Sequence, residues 1–197
     1  MSYNCPEVMI VLTNSRWIFL ALLVILYFSG CSAEQPATNK TSGEKMAISL
    51  TSSAFAEGKT IPTKYSSEGD DISPPLAWSG VPKEAKSLVL ICDDPDAPMG
   101  TWVHWVIYNL PPTTASLAEA VAPAKTRGDG SMQGYNSAGK VGYQGPMPPS
   151  GTHRYFFRLY ALDKMLELKP GATRAELDGA MKGHILAQGQ LMGTYTR

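Results

Sequence analysis

The sequence predicts a mainly β domain, and three features predict it. Apolar residues recur with the two-residue period of strands, proline and glycine corners break the chain into short runs, and a helix signal emerges only near the C-terminus. The chain has 197 residues, 44% of them hydrophobic, and a formal net charge of zero. That is enough for one domain with a real core once a leader is set aside. Neutrality without any Lys/Arg cluster excludes nucleic acid as a partner, because phosphate-backbone binders present a basic face. Cys5, Cys31 and Cys92 make no paired framework, so no structural disulfide is expected.

In chain order, Arg16 is followed by an apolar run over 17–28, short for a bilayer span and the right size for a signal-peptide core. Ser29 and Gly30 then precede Cys31, which resembles a bacterial lipoprotein cleavage box even though Phe28 stands where leucine is usual. Residues 1–30 are thus read as a lipoprotein signal peptide, with Met9 an alternative start, and Cys31 as a lipidated N-terminus. An uncleaved anchor helix is the alternative; both place the domain outside the cytoplasm, held on a bacterial membrane. Ser32 after the cysteine is compatible with the outer membrane of a source that has one. Residues 31–45 are small, polar and aperiodic, a flexible tether.

The domain is expected over 46–197. A first strand is read over 46–56 and a short edge strand over 61–65, which holds Pro62. The prolines around Ile72, Leu76 and Trp78 stiffen an extended segment that turns at Gly80 and Pro82. From Ser87, Leu88, Leu90 and Cys92 alternate with Val89 and Ile91; both faces are apolar, so this strand is interior. Asp93, Asp94, Pro95, Asp96 and Pro98 form a rigid corner that fixes the Asp94 carboxylate. The return strand is read with Trp102, His104 and Val106 on one face and Val103, Trp105 and Ile107 on the other. One or two helical turns are read over 116–121 and a long irregular loop over 127–142, of a length that tends to be functional. A second glycine-proline corner leads into a strand carrying His153, Tyr155, Phe157 and Leu159 on one face. Thr173 with Glu176 reads as a capping box opening a helix over 174–188, with Leu177, Met181 and Ile185 as its buried stripe and Gly189 as its stop. A last strand is read over 191–196.

A single histidine in an apolar strand is ordinarily a satisfied core residue. Here a rigid corner accompanies a histidine twice, which argues for one shared pocket. Asp94 can accept from an imidazole N–H and fix its tautomer, His104 and His153 can donate to an anion, Gly145 can let a backbone amide approach it, and Tyr155 offers a hydroxyl. Such a pocket is a small-anion site with apolar walls, its affinity strengthening as pH falls through about 6.5 if both imidazoles gain charge.

These residues also carry a resemblance. Asp94-Pro-Asp-Ala-Pro98 with Trp102-Val-His-Trp105, and Gly145-Pro146 with Pro148-Pro149-Ser-Gly-Thr-His-Arg-Tyr155, resemble the two signatures of the phosphatidylethanolamine-binding protein family. Leu159 to Asp163 and the C-terminal segment are similar to its bacterial, Raf-kinase-inhibitor-like branch. The resemblance implies a Greek-key β-sandwich of two antiparallel sheets with peripheral helices, and a pocket for phosphate-like or carboxylate anions, including phospholipid head groups. It places Asp94, His104, Gly145, His153 and Tyr155 at the pocket and Trp102 and Pro98 on its wall. Only Met99, Gly100 and Thr101 stand where eukaryotic members carry a longer insertion, so the rim differs from theirs.

The leading functional expectation is therefore a tethered, non-enzymatic binding module for a small anion or phosphate-bearing head group, without cofactor or metal. One alternative is a protein-interaction or inhibitor module, directed at a kinase or protease and docking through 127–142. Another is a hydrolase pairing Asp94 with His104 or His153, for which no Gly-x-Ser-x-Gly elbow supplies a serine. A metal held by Asp94, His104 and His153 is stereochemically possible but has no close-spaced ligand motif.

Overall fold

The computed structural model describes residues 46–197; the leader, Cys5, Cys31 and the tether read over 1–45 lie outside the described residues. Nine strands and one α-helix make up the described chain, with a 3-10 turn at Thr63–Tyr65. The strands are β1 (Met46–Ala47), β2 (Ser49–Thr51), β3 (Leu76–Ser79), β4 (Ser87–Asp94), β5 (Trp102–Leu110), β6 (Ser116–Leu117), β7 (Met132–Gln133), β8 (Thr152–Leu162) and β9 (Ile185–Thr196); α1 is Arg174–Met181. The larger sheet has the order β1-β9-β8-β4-β5-β7 and the smaller β2-β3-β6. All pairs are antiparallel except β1, which lies parallel to β9. After the β4–β5 hairpin the chain leaves through β6 and β7 and returns with β8 beside β4, a Greek-key type of connection.

β4 is apolar on both faces because both are covered. Leu88, Leu90 and Cys92 face Leu50, Leu76, Trp78 and Leu117 in the core between the sheets. Val89 and Ile91 pack with Val106, Tyr108, Leu177 and Met181 on the opposite face, which α1 closes. All these β4 side chains are at most 1% exposed, and each buried Leu, Val or Ile stabilises the fold by about 1.5–3 kcal/mol.

Several expected elements differ. The alternation read along β5 slips: Trp105 pairs with Cys92 and Val103 with Asp93, leaving His104 as the extra residue of a β-bulge. Val103 and Val106 consequently share the face under α1, while Trp105 and Ile107 belong to the inter-sheet core. The first strand is divided, with β1 on the larger sheet and β2 on the smaller. The segment 61–65 is a turn rather than an edge strand: Pro62 has no N–H for a ladder, and its carbonyl accepts from Tyr65 N at 2.9 Å. Over 116–121 there is no helical turn; Ser116–Leu117 pairs with β3, and Ala120 at φ 60° breaks any continuation.

The capping box is formed, Thr173 N donating to Glu176 Oε2 at 2.7 Å and Glu176 N to Thr173 Oγ1 at 3.3 Å, with Leu177 and Met181 buried. The helix nevertheless ends at Met181 rather than near 188, because Gly183 at φ 84° turns the chain onto β8. That strand offers a ladder from Thr152 to Leu162, so Ile185 begins β9 instead of extending the helical stripe. Gly189 lies inside β9, where a Cβ would fall 2.0 Å from the Ile48 carbonyl oxygen.

The loop over 127–142 is largely built in. Gln133 is fully buried; its side-chain oxygen accepts from Trp105 Nε1 at 2.8 Å, and its amide donates to the Ala122 and Ala124 carbonyls. Buried Asn136 accepts from Ala138 N and Lys140 N, folding the loop on itself.

Candidate functional site

The β4–β5 hairpin end, the start of β8 and the 144–149 corner enclose a cleft of about 580 Å³. All seven residues expected there line it: Asp94, Pro98, Trp102, His104, Gly145, His153 and Tyr155.

Asp94 closes β4 and is nearly fully buried. Its Oδ1 accepts from Asp96 N at 2.8 Å and its Oδ2 from His153 Nδ1 at 2.7 Å, so the proline corner and the imidazole hold one carboxylate from two sides. Outside it, Arg154 donates to both carboxylate oxygens of Asp96 at 2.7 and 2.9 Å. These bonds hold the Asp96 carboxyl down to about 2. Arg154 is thereby engaged at the rim, and no Lys or Arg lines the cleft itself.

His104 owes its direction to the bulge. Its Nδ1 lies 2.7 Å from the Gln144 carbonyl oxygen, and its ring meets that of Tyr155 edge-on, centroids 5.1 Å apart. A carbonyl can only accept, so Nδ1 carries the proton and Nε2 is left toward the cleft. Burial pushes the imidazole below its ordinary value, opposed by the Gln144 bond and by Asp94. Burial thus works against His104 gaining charge near its ordinary value.

His153 and Tyr155 are two residues apart on β8 and share a face. The Tyr155 hydroxyl is buried without a hydrogen-bond partner, and burial together with the Asp94 charge raises it, so it stays a protonated donor. The side-chain oxygen of Gln144, another lining residue, is likewise buried without a partner.

Gly145 lines the cleft for a different reason from the one expected. Its N–H donates to Asp71 Oδ1 at 2.6 Å, so this amide is not offered to a ligand. A Cβ there would fall 2.4 Å from the Tyr65 carbonyl oxygen, and the missing side chain serves packing against Tyr65 and Ser66. Asp71, held at φ 53°, and Gln144 escape sequence reasoning: one acts on the corner from behind, the other through a main-chain carbonyl that leaves no residue-type signal. The mouth is apolar, with Met99 fully exposed, Met147 half exposed and Trp102 37% exposed.

Among the described residues no three His, Cys, Asp or Glu side chains come together as a metal site, and the alternative that Asp94, His104 and His153 hold one finds no such geometry.

The family described as phosphatidylethanolamine-binding protein matches residues 51–196. The chain belongs to this family. Among its relatives, a UPF0098 protein of Methanothermobacter thermautotrophicus is 55% identical over 150 residues, covering 76% of this chain and 99% of that protein. A UPF0098 protein of Chlamydia trachomatis is 49% identical over 155 residues, covering 76% and 99%. The solved structure of a phosphatidylethanolamine-binding protein homologue from Chlamydia trachomatis superposes with a TM-score of 0.71 at 49% identity, covering 77% of this chain and 99% of that one. That of YbcL from E. coli, described as a new member of the mammalian family, gives 0.70 at 29% identity, covering 76% and 98%. The phosphatidylethanolamine-binding protein fold thus accounts for the described domain.

Proposed function

We propose that the domain is a binding module for small phosphate-like or carboxylate anions, carried outside the cytoplasm on a lipid attached at Cys31. The observation that carries this reading is the buried, unpartnered Tyr155 hydroxyl in a cleft that also presents Nε2 of His104 and His153, neither hydrogen-bonded to the protein. A buried hydroxyl without a partner costs about 1–3 kcal/mol, which a ligand oxygen there would offset. The hydrolase alternative has a carboxylate–imidazole pair in Asp94 and His153, but the wall serine, Ser137, already accepts from Val103 N at 2.8 Å. The protein-interaction alternative loses support from the buried Gln133 and Asn136, which tie 127–142 into the fold.

The test is calorimetric titration of the full chain in detergent with phosphate, phosphoethanolamine and acetate, beside His153→Ala. Binding in the parent that is lost in the variant is expected. No binding of any of the three by the parent sinks the anion reading. Separately, Cys31→Ser should release the protein from the membrane fraction; unchanged fractionation would contradict the lipid anchor.

A further inference from the structure

The peptide unit between Gln144 and Gly145 is hydrogen-bonded on both of its edges. Its N–H, on Gly145, donates to Asp71 Oδ1 at 2.6 Å, and its C=O, on Gln144, accepts the Nδ1–H of His104 at 2.7 Å. A trans peptide is planar and points its N–H and C=O in opposite directions, so Asp71 stands on one side of the plane's axis and His104 on the other. Rotating that plane breaks both bonds together. A carboxylate acceptor polarises the N–H, and along a chain of hydrogen bonds this strengthens the carbonyl as an acceptor, by about 10–30% per bond.

The surrounding bonds keep the peptide in place. Gln144 N donates to the His104 carbonyl and Ser67 N to the Pro146 carbonyl, each at 3.0 Å, and the Tyr143 hydroxyl donates to the Tyr65 carbonyl at 2.9 Å. Asp71 itself sits at φ 53°, a region that a residue with a side chain occupies at a cost. The other charged or titratable groups around the His104 ring are Asp93 and Asp94 from β4 and His153 and Tyr155 from β8. Asp94 is bonded to Asp96 N and to His153, and Asp93 to Arg158 and Arg174, so neither carboxylate decides which nitrogen of His104 carries the proton.

We propose that Asp71 is a positioning residue for the pocket: acting through the Gln144–Gly145 peptide, it holds the His104 proton on Nδ1 and so keeps Nε2 as the accepting nitrogen of the ring. This role deepens the binding function proposed above and is measured on the ligand-free protein, so either can fail without the other.

The test is proton–nitrogen NMR of the three histidine rings, in the full chain in detergent at about pH 8, where imidazoles are neutral. The parent should show His104 in the Nδ1–H form; a parent ring protonated on Nε2 overturns the proposal. Asp71→Asn keeps an acceptor of the same shape and tolerates positive φ, but removes the charge. The Gly145 N–H and His104 Nδ1–H resonances should then move upfield together, while those of His153 and His184 stay in place. Asp71→Gly removes the acceptor and relieves the backbone, and the ratio of Nε2–H to Nδ1–H forms of His104 should rise about fivefold, the worth of one hydrogen bond. A Gly145 shift without a His104 shift in Asp71→Asn, or an unchanged ratio in Asp71→Gly, reduces Asp71 to a packing contact and overturns the proposal. Phosphoethanolamine titrated into the parent reads the binding function separately: the expected resonances without binding leave the role of Asp71 standing and sink only that function.

Discussion

Asp94 and His153 are joined by a 2.7 Å hydrogen bond across the ends of β4 and β8, and the same carboxylate takes the Asp96 N–H at 2.8 Å. One buried group thus closes the proline corner and orients the imidazole. Asp94→Ala leaves the Nδ1–H of His153 unpaired and should lower unfolding stability by about 1–3 kcal/mol, whereas Asp94→Asn, which still offers a carbonyl oxygen, should cost less. Urea denaturation of the two variants checks the order; equal losses would show that the bond does not matter.

Tyr155→Phe should separate stability from function. The hydroxyl is buried without a partner, so removing it should leave the ligand-free protein as stable or more so by up to about 1 kcal/mol. Phosphoethanolamine affinity should drop about tenfold for the lost hydrogen bond. A variant that is clearly destabilised would mean that the hydroxyl has a partner in solution.

The His104 imidazole, depressed by burial below the ordinary 6.5, binds a proton less readily when folded than when unfolded. Its contribution is therefore complete above 6.5 and is lost as pH falls from there toward the folded value, at up to about 1.4 kcal/mol per pH unit. His104→Asn removes this dependence. Unfolding free energies at pH 7.5 and 5.5 should show the parent declining more than the variant; parallel declines would contradict a buried neutral ring.

On the other side of the larger sheet, Asp93 is 1% exposed and accepts from Arg158 and, at 2.7 Å, from Arg174. Arg174 also reaches Asp178 on α1 at 2.8 Å, so this cluster ties the helix to β4 and β8. Asp93→Ala leaves two neighbouring guanidinium groups without their shared carboxylate and should cost about 3–5 kcal/mol, read by thermal unfolding. A loss below about 1 kcal/mol would assign the cluster the small worth of a surface pair.

Where local chemistry decided the outcome, the sequence was legible. The two apolar faces of β4, the Thr173–Glu176 box and the two corner-and-histidine pairs are all present, and the seven residues named for the pocket line one cleft. The misread features depend on partners distant in the chain. The bulge at His104 emerges only in the β4–β5 register, the end of α1 only against the ladder of β8, and Ser116–Leu117 becomes a strand because β3 has an edge to pair. Gly145 was rightly placed but wrongly explained, since its amide serves Asp71 and its missing side chain serves Tyr65.

The most direct test of the anion-binding account is a crystal structure of the protein grown with phosphoethanolamine. The account predicts the phosphoryl group in the cleft, with an oxygen within about 2.6–3.2 Å of Tyr155 Oη. An empty cleft at saturating ligand, or a phosphoryl group held elsewhere on the surface, would contradict it.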